Sequence, residues 1–185
     1  MRKLIFAINT TLDGCVDHTK GIADEEIHGY FTNLLAETDT LVYGRKTYQL
    51  MVPFWPDMAR DHSGTTEAMN NFARVFDAVE NIVVFSRTLD KMEDGKTKIV
   101  STDLREEILR LKLEDGKDML LGGVDIPSQL MELDLIDEYI FVVQPLIVGE
   151  GRRLLEGVSL PERLQLKLVS TKVMKSGAMA LHYVR

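Results

Sequence analysis

Three short segments join glycines, hydroxyls and cations at the ends of apolar runs. In Leu120-Leu121-Gly122-Gly123 the run Met119 to Leu121 stops at two glycines, and a helix-like segment with Pro127 near its start follows at once. A glycine pair at such a junction lets a ligand approach the backbone closely. Free amide N–H groups at the positive end of the helix suit a phosphate. Gly44-Arg45-Lys46-Thr47 repeats the arrangement after another apolar run. There Arg45 offers a bidentate pair to a phosphate, and the Thr47 hydroxyl is placed to donate at the helix start. Ser86-Arg87-Thr88 follows the run Asn81 to Phe85, and a hydroxyl beside a guanidinium suits a ribose 2′-phosphate, the group that separates NADP from NAD. Each segment alone also reads as a turn, a helix cap or a solvated loop. Three strand ends with the same chemistry favour a dinucleotide, because ligands of open α/β sheets sit beyond the carboxyl ends of the strands.

Other chemistries are less well served. No G-x-G-x-x-G fingerprint is present, and Gly149-Glu150-Gly151 lacks its third glycine. The absence of a Walker A sequence argues against an NTPase. His18, His62 and His182 have no metal-ligand spacing and Cys15 has no partner cysteine, so no metal is expected. A single cysteine excludes an intramolecular disulfide and points to a reducing compartment, with Cys15 read as a buried thiol. The formal charge of −7 argues against non-specific nucleic-acid binding. It also means that local cations and backbone donors must capture any anionic cofactor. The apolar run Leu4 to Ile8 is too short to span a bilayer, so no membrane association and a cytoplasmic location are expected.

The elements that must hold these groups alternate between strand-like and helix-like patterns, which predicts an α/β sheet. The 185 residues, 45% of them hydrophobic, suffice for one domain over 1–185 with a substantial core. Strands are predicted at Lys3 to Ile8, Thr40 to Tyr43, Asn81 to Phe85, Met119 to Leu121 and Glu138 to Val143. Helices are predicted at about Asp24 to Glu37, from Lys46 to Met51, around Met69 to Phe76, after Asp103, and near Pro127 to Leu133. Asp103 with Glu106 forms a capping-box-like start. Leu164 to Met174 and Ala178 to Val184 flank Ser176-Gly177, a hairpin signal, so parallel βα units end in an antiparallel pair. The segment Pro53 to Thr66, with Trp55, two prolines and Gly64, reads as the longest loop.

With these motifs in order along the chain, the sequence resembles the dihydrofolate reductase-like superfamily. Within it, the branch that looks similar is the C-terminal reductase domain of the bifunctional riboflavin-biosynthesis protein. The resemblance rests on Thr11-Leu12-Asp13-Gly14, Tyr43-Gly44-Arg45-Lys46-Thr47-Tyr48, Val83 to Leu89, Gly122-Gly123, Leu135 to Glu138, and Gln144 to Leu154. It implies a three-layer α/β/α fold with a mixed, mostly parallel sheet and a C-terminal antiparallel hairpin. It also implies NADPH as cofactor, hydride delivery to a ring or a C=N or C=O bond of a small molecule, and a homodimer as a plausible assembly.

By the same resemblance Arg45 and Thr47 help bind cofactor phosphates, Ser86 and Arg87 lie near the 2′-phosphate, and Gly122 and Gly123 lie against the pyrophosphate. Together with Gly44, Lys46 and Thr88 of the same segments they are the expected cofactor-binding residues. Asp13 lies beside the substrate and the nicotinamide. Folate reductases carry an acid on the first helix. Counting back from Gly44 places His28 there, with Asp24, Glu25 and Glu26 earlier on the helix, so the chain departs from true folate reductases. Asp13 and His28 are the expected catalytic residues. A non-catalytic NADP(H)-binding protein and a dihydrofolate reductase proper remain the alternative readings.

Overall fold

A computed structural model of the chain describes residues 1–92 and 94–185. Its centre is an eight-stranded sheet in the order β4-β3-β2-β5-β1-β6-β8-β7. The strands are β1 (Leu4–Thr11), β2 (Thr38–Gly44), β3 (Asn81–Phe85), β4 (Thr97–Val100), β5 (Asp118–Leu121), β6 (Glu138–Gln144), β7 (Lys167–Val173) and β8 (Met179–Val184). The first six pair in parallel, and β8 and β7 close one edge in antiparallel fashion. The helices are α1 (Glu25–Ala36), α2 (Arg45–Met51), α3 (Phe54–Asp61), α4 (Glu67–Asp77), α5 (Leu104–Leu113) and α6 (Asp125–Glu132).

Strand side chains alternate between two cores, as the pleat requires. Leu41, Tyr43, Ile82, Val84, Leu120 and Ile140 face one layer with Ile27 and Leu35 of α1, Tyr48 of α2 and Phe72 and Phe76 of α4. Leu4, Phe6, Val42, Val83, Leu121 and Tyr139 face the other, with Ile108 of α5 and Leu130 of α6. The central strands are apolar on both faces because helices cover both. That is the pattern of a parallel sheet. The expected α/β/α layering and antiparallel closure are therefore present.

Two elements differ from the sequence expectation. The segment read as a loop from Pro53 to Thr66 is largely helical: α3 occupies Phe54–Asp61. Pro53 is its N-cap and Pro56 lies in the first turn, where no intrahelical N–H donor is needed, so the prolines open the helix instead of breaking it. Its far end stops at His62, whose φ of 49° is left-handed. Thr66 then caps α4 by accepting from the Met69 amide at 3.2 Å. The second difference is β4, whose polar Thr97 and Lys98 masked a short edge strand beside β3.

The register creates one feature that matters for a ligand. On one side, β1 pairs with β5 only as far as Phe6 opposite Leu121. On the other it continues along β6 to Thr11 opposite Gln144. Ala7 to Thr11 thus outrun β5, leaving a notch where the chain turns away at Gly122-Gly123.

Candidate active site

The three glycine- and arginine-bearing segments and Asp13 lie at the carboxyl ends of the parallel strands β2, β3, β5 and β1, and several touch. Gly44 ends β2 and is the N-cap of α2, with no side-chain cap of its own. Gly123 has φ +94°, and a Cβ there would collide with Thr47 Oγ1. A Cβ on Gly122 would lie 2.7 Å from Tyr43 Cε1, and one on Gly44 would lie 3.1 Å from Ile126 Cγ1. These glycines let the start of α2 and the β5–α6 turn close onto each other. Arg45 Nη1 donates to Thr88 Oγ1 at 2.8 Å, joining the second segment to the third. Ser86 Oγ accepts from the amides of Thr88 and Leu89 at 3.2 and 2.9 Å, shaping the turn that carries exposed Arg87. Lys46 is also exposed. The three segments form a continuous rim of glycine backbone, hydroxyls and cations above the notch.

Asp13 lies across the notch, in the loop after β1. One carboxylate oxygen accepts from Thr11 Oγ1 at 2.6 Å, and the amides of Val148 and Gly149 donate to the carboxylate at 3.3 and 2.9 Å. The Thr11 hydroxyl and then the Gly149 amide hold the acid well below its ordinary value, at about 2. Asp13 is an anion at neutral pH. Arg153 pairs with the same carboxylate at 3.6 Å and donates to the Asp13 carbonyl.

The segment after β6 folds across this loop. Gly151, at φ +92°, runs so close to buried Cys15 that a Cβ would lie 2.7 Å from the sulfur. Lys20 pairs with Glu150, and Arg152 pairs with Asp125, the first residue of α6. The Arg152 guanidinium keeps the Asp125 carboxyl below its usual range. Arg152 and Arg153, read in the sequence only as part of the Gln144 to Leu154 motif, tie this strap to both walls of the notch.

His28 sits apart from that loop, one turn into α1. Its ring packs edge-on against Trp55 and Phe72, with centroids 6.1 and 6.0 Å away. Its Nδ1 lies 2.9 Å from the Asp24 carbonyl. A carbonyl only accepts, so Nδ1 carries the hydrogen and Nε2 is the position that can gain or lose a proton. Asp24 is the N-cap of α1 and accepts from the Ile27 amide at 2.8 Å. No hydrogen bond or ion pair joins His28 to Asp13 among the described residues. No cluster of three or more potential metal ligands occurs among them either, and no described helix is long and apolar enough to cross a membrane.

Comparison with known proteins gives this arrangement a family. The profile of the RibD C-terminal domain matches residues 2–180. The uncharacterized protein YyaP of Bacillus subtilis (strain 168) is 29% identical over 188 residues, covering 98% of this chain and 94% of YyaP. Among solved structures, a Shewanella sp. PV-4 protein named for riboflavin biosynthesis superposes with a TM-score of 0.71 at 21% identity, covering 100% of this chain and 99% of the other. A Thermotoga maritima diaminohydroxyphosphoribosylaminopyrimidine deaminase/5-amino-6-(5-phosphoribosylamino)uracil reductase superposes at 0.69 with 19% identity, covering 99% of this chain but 56% of that one. The solved structures share the fold, and the chain belongs to the RibD C-terminal domain family.

Proposed function

We propose that this protein is an NADPH-dependent reductase of a small heterocyclic substrate with a reducible C=N or C=O bond, related in chemistry to 5-amino-6-(5-phosphoribosylamino)uracil. The observation that carries the reading is the meeting of three phosphate-type segments at the carboxyl ends of the neighbouring strands β3, β2 and β5, through Arg45 with Thr88 and Thr47 with Gly123. In this reading Gly44, Arg45, Lys46 and Thr47 hold the bridging phosphates together with Gly122 and Gly123. Ser86, Arg87 and Thr88 receive the 2′-phosphate. Glycine backbone with room for no side chain, beside two exposed guanidinium groups, fits a dinucleotide and its anionic ends.

When bound, the reduced nicotinamide supplies the hydride. The chain's own residues bind, orient and hold a proton. Asp13 acts as a fixed anion that keeps the loop after β1 and the strap at 148–149 in register around the ring site; its low pKa removes it as a proton donor. That leaves His28 as the proposed proton carrier, acting through Nε2. The test is a turnover assay with 5-amino-6-(5-phosphoribosylamino)uracil and related lactams, following loss of the reduced-nicotinamide absorbance. Substrate-dependent oxidation of NADPH that falls in His28→Phe supports the reading. NADPH binding without oxidation for any tested lactam, pterin or aldehyde would favour a non-catalytic NADP(H)-binding protein.

A further inference from the structure

Asn9 lies in β1 with its side chain on the same face as Ile5 and Ala7, both of which pack in the layer that holds α1. Its Oδ1 is closed to solvent and meets no donor among the described residues. Only the Tyr139 hydroxyl shares this condition among the described residues, and it faces the other core. Asn9 itself is only half-buried, but a carbonyl oxygen closed to solvent without a donor is destabilising.

The location gives the orphan amide a purpose. Asn9 pairs with Val142 of β6. On its other side β5 has already ended at Leu121, opposite Phe6. Asn9 therefore borders the notch whose far wall is Gly122-Gly123, one pleat before Thr11, the hydroxyl that holds Asp13. A carboxamide presents an acceptor and a donor side by side. Its complement is an edge on which a carbonyl adjoins an N–H.

We propose that Asn9 is a specificity-determining residue that pairs with such an amide edge on the ring bound in the notch. The choice of ligands rests on the reductase reading, which supplies two sources of this edge: the nicotinamide carboxamide and the lactam of a uracil-type substrate. Aliphatic aldehydes and ketones lack the donor and are discriminated against, because they leave the amide unpaired.

The test compares wild type with Asn9→Leu, and with Asn9→Val in case the larger side chain crowds the strand. Calorimetric titrations use NADPH, adenosine 2′,5′-bisphosphate, and 5-amino-6-(5-phosphoribosylamino)uracil in the presence of NADP. The expected result is a loss of about tenfold or more in affinity for one amide-bearing probe. Loss for NADPH identifies the nicotinamide as the partner; loss for the uracil identifies the substrate. Binding of adenosine 2′,5′-bisphosphate, which has no amide edge, stays within about twofold of wild type. Without ligand, at least one variant melts about 2–4 °C higher, because the orphan amide is gone. Unchanged affinity for both amide-bearing probes overturns the proposal. So does a lower melting temperature in both variants, which would mean that ordered water already satisfies the amide. A wild type that binds none of the three probes sinks the reductase reading. The melting temperatures then still judge Asn9, a rise supporting its role and a fall in both variants removing it.

Discussion

Both oxygens of Asp13 are engaged by its own chain, through Thr11 and the amides of Val148 and Gly149. Because folding lowers its pKa from 3.8 to about 2, the stabilisation from the ionised form is complete above the unfolded value and disappears as the pH falls through the folded one. Asp13→Asn should therefore melt below wild type at neutral pH, with the gap closing between pH 3.8 and about 2. Melting curves across that range check this; a gap independent of pH would mean that shape, not charge, is what the loop needs. Gly123 makes a different kind of demand. At φ +94° and against Thr47, it has neither the conformation nor the room for a side chain. Gly123→Ala should lose about 1–3 kcal/mol of stability in chemical denaturation, with α2 pushed off the β5–α6 turn. A variant as stable as wild type would show that the close approach is not required.

At the scale of elements, α1, α3 and α4 meet around one aromatic group. Phe72 of α4 is nearly buried and lies 4.5 Å, centroid to centroid, from Trp55 of α3 and 6.0 Å from His28 of α1. Phe72→Ala should cost about 3–5 kcal/mol and shift the denaturant midpoint accordingly. A loss below about 1 kcal/mol would mean that these helices are held from elsewhere. This layer also marks where sequence patterning ran out. The strands read well because apolar runs ended in glycine or polar residues, as at Leu121-Gly122 and Phe85-Ser86. Helix α3 did not, since Pro53 and Pro56 carry the signal of a loop unless they are known to sit at a helix start. The glycine and arginine segments were legible one by one, but their joining through Arg45 and Thr88 is a long-range contact that no local pattern encodes. Asn9 was missed for a similar reason. One amide in an apolar strand matches no motif, and its lack of a partner exists only once the notch is formed.

For the molecule as a whole, the sheet order brings distant segments together at the carboxyl ends of the strands, and the net charge of −7 sets the electrostatic problem there. An overall negative field disfavours a multiply charged anion, so in the proposed reading selectivity comes from Arg45 and Arg87 acting at short range. The most direct measurement is a titration of wild type and Arg87→Ala with NADPH and NADH. The account predicts that wild type binds NADPH well ahead of NADH. It also predicts that Arg87→Ala loses about tenfold or more for NADPH while NADH is little changed, as removal of one charge-assisted phosphate contact requires. Equal affinity for the two cofactors, or an Arg87→Ala variant that binds NADPH like wild type, would contradict it.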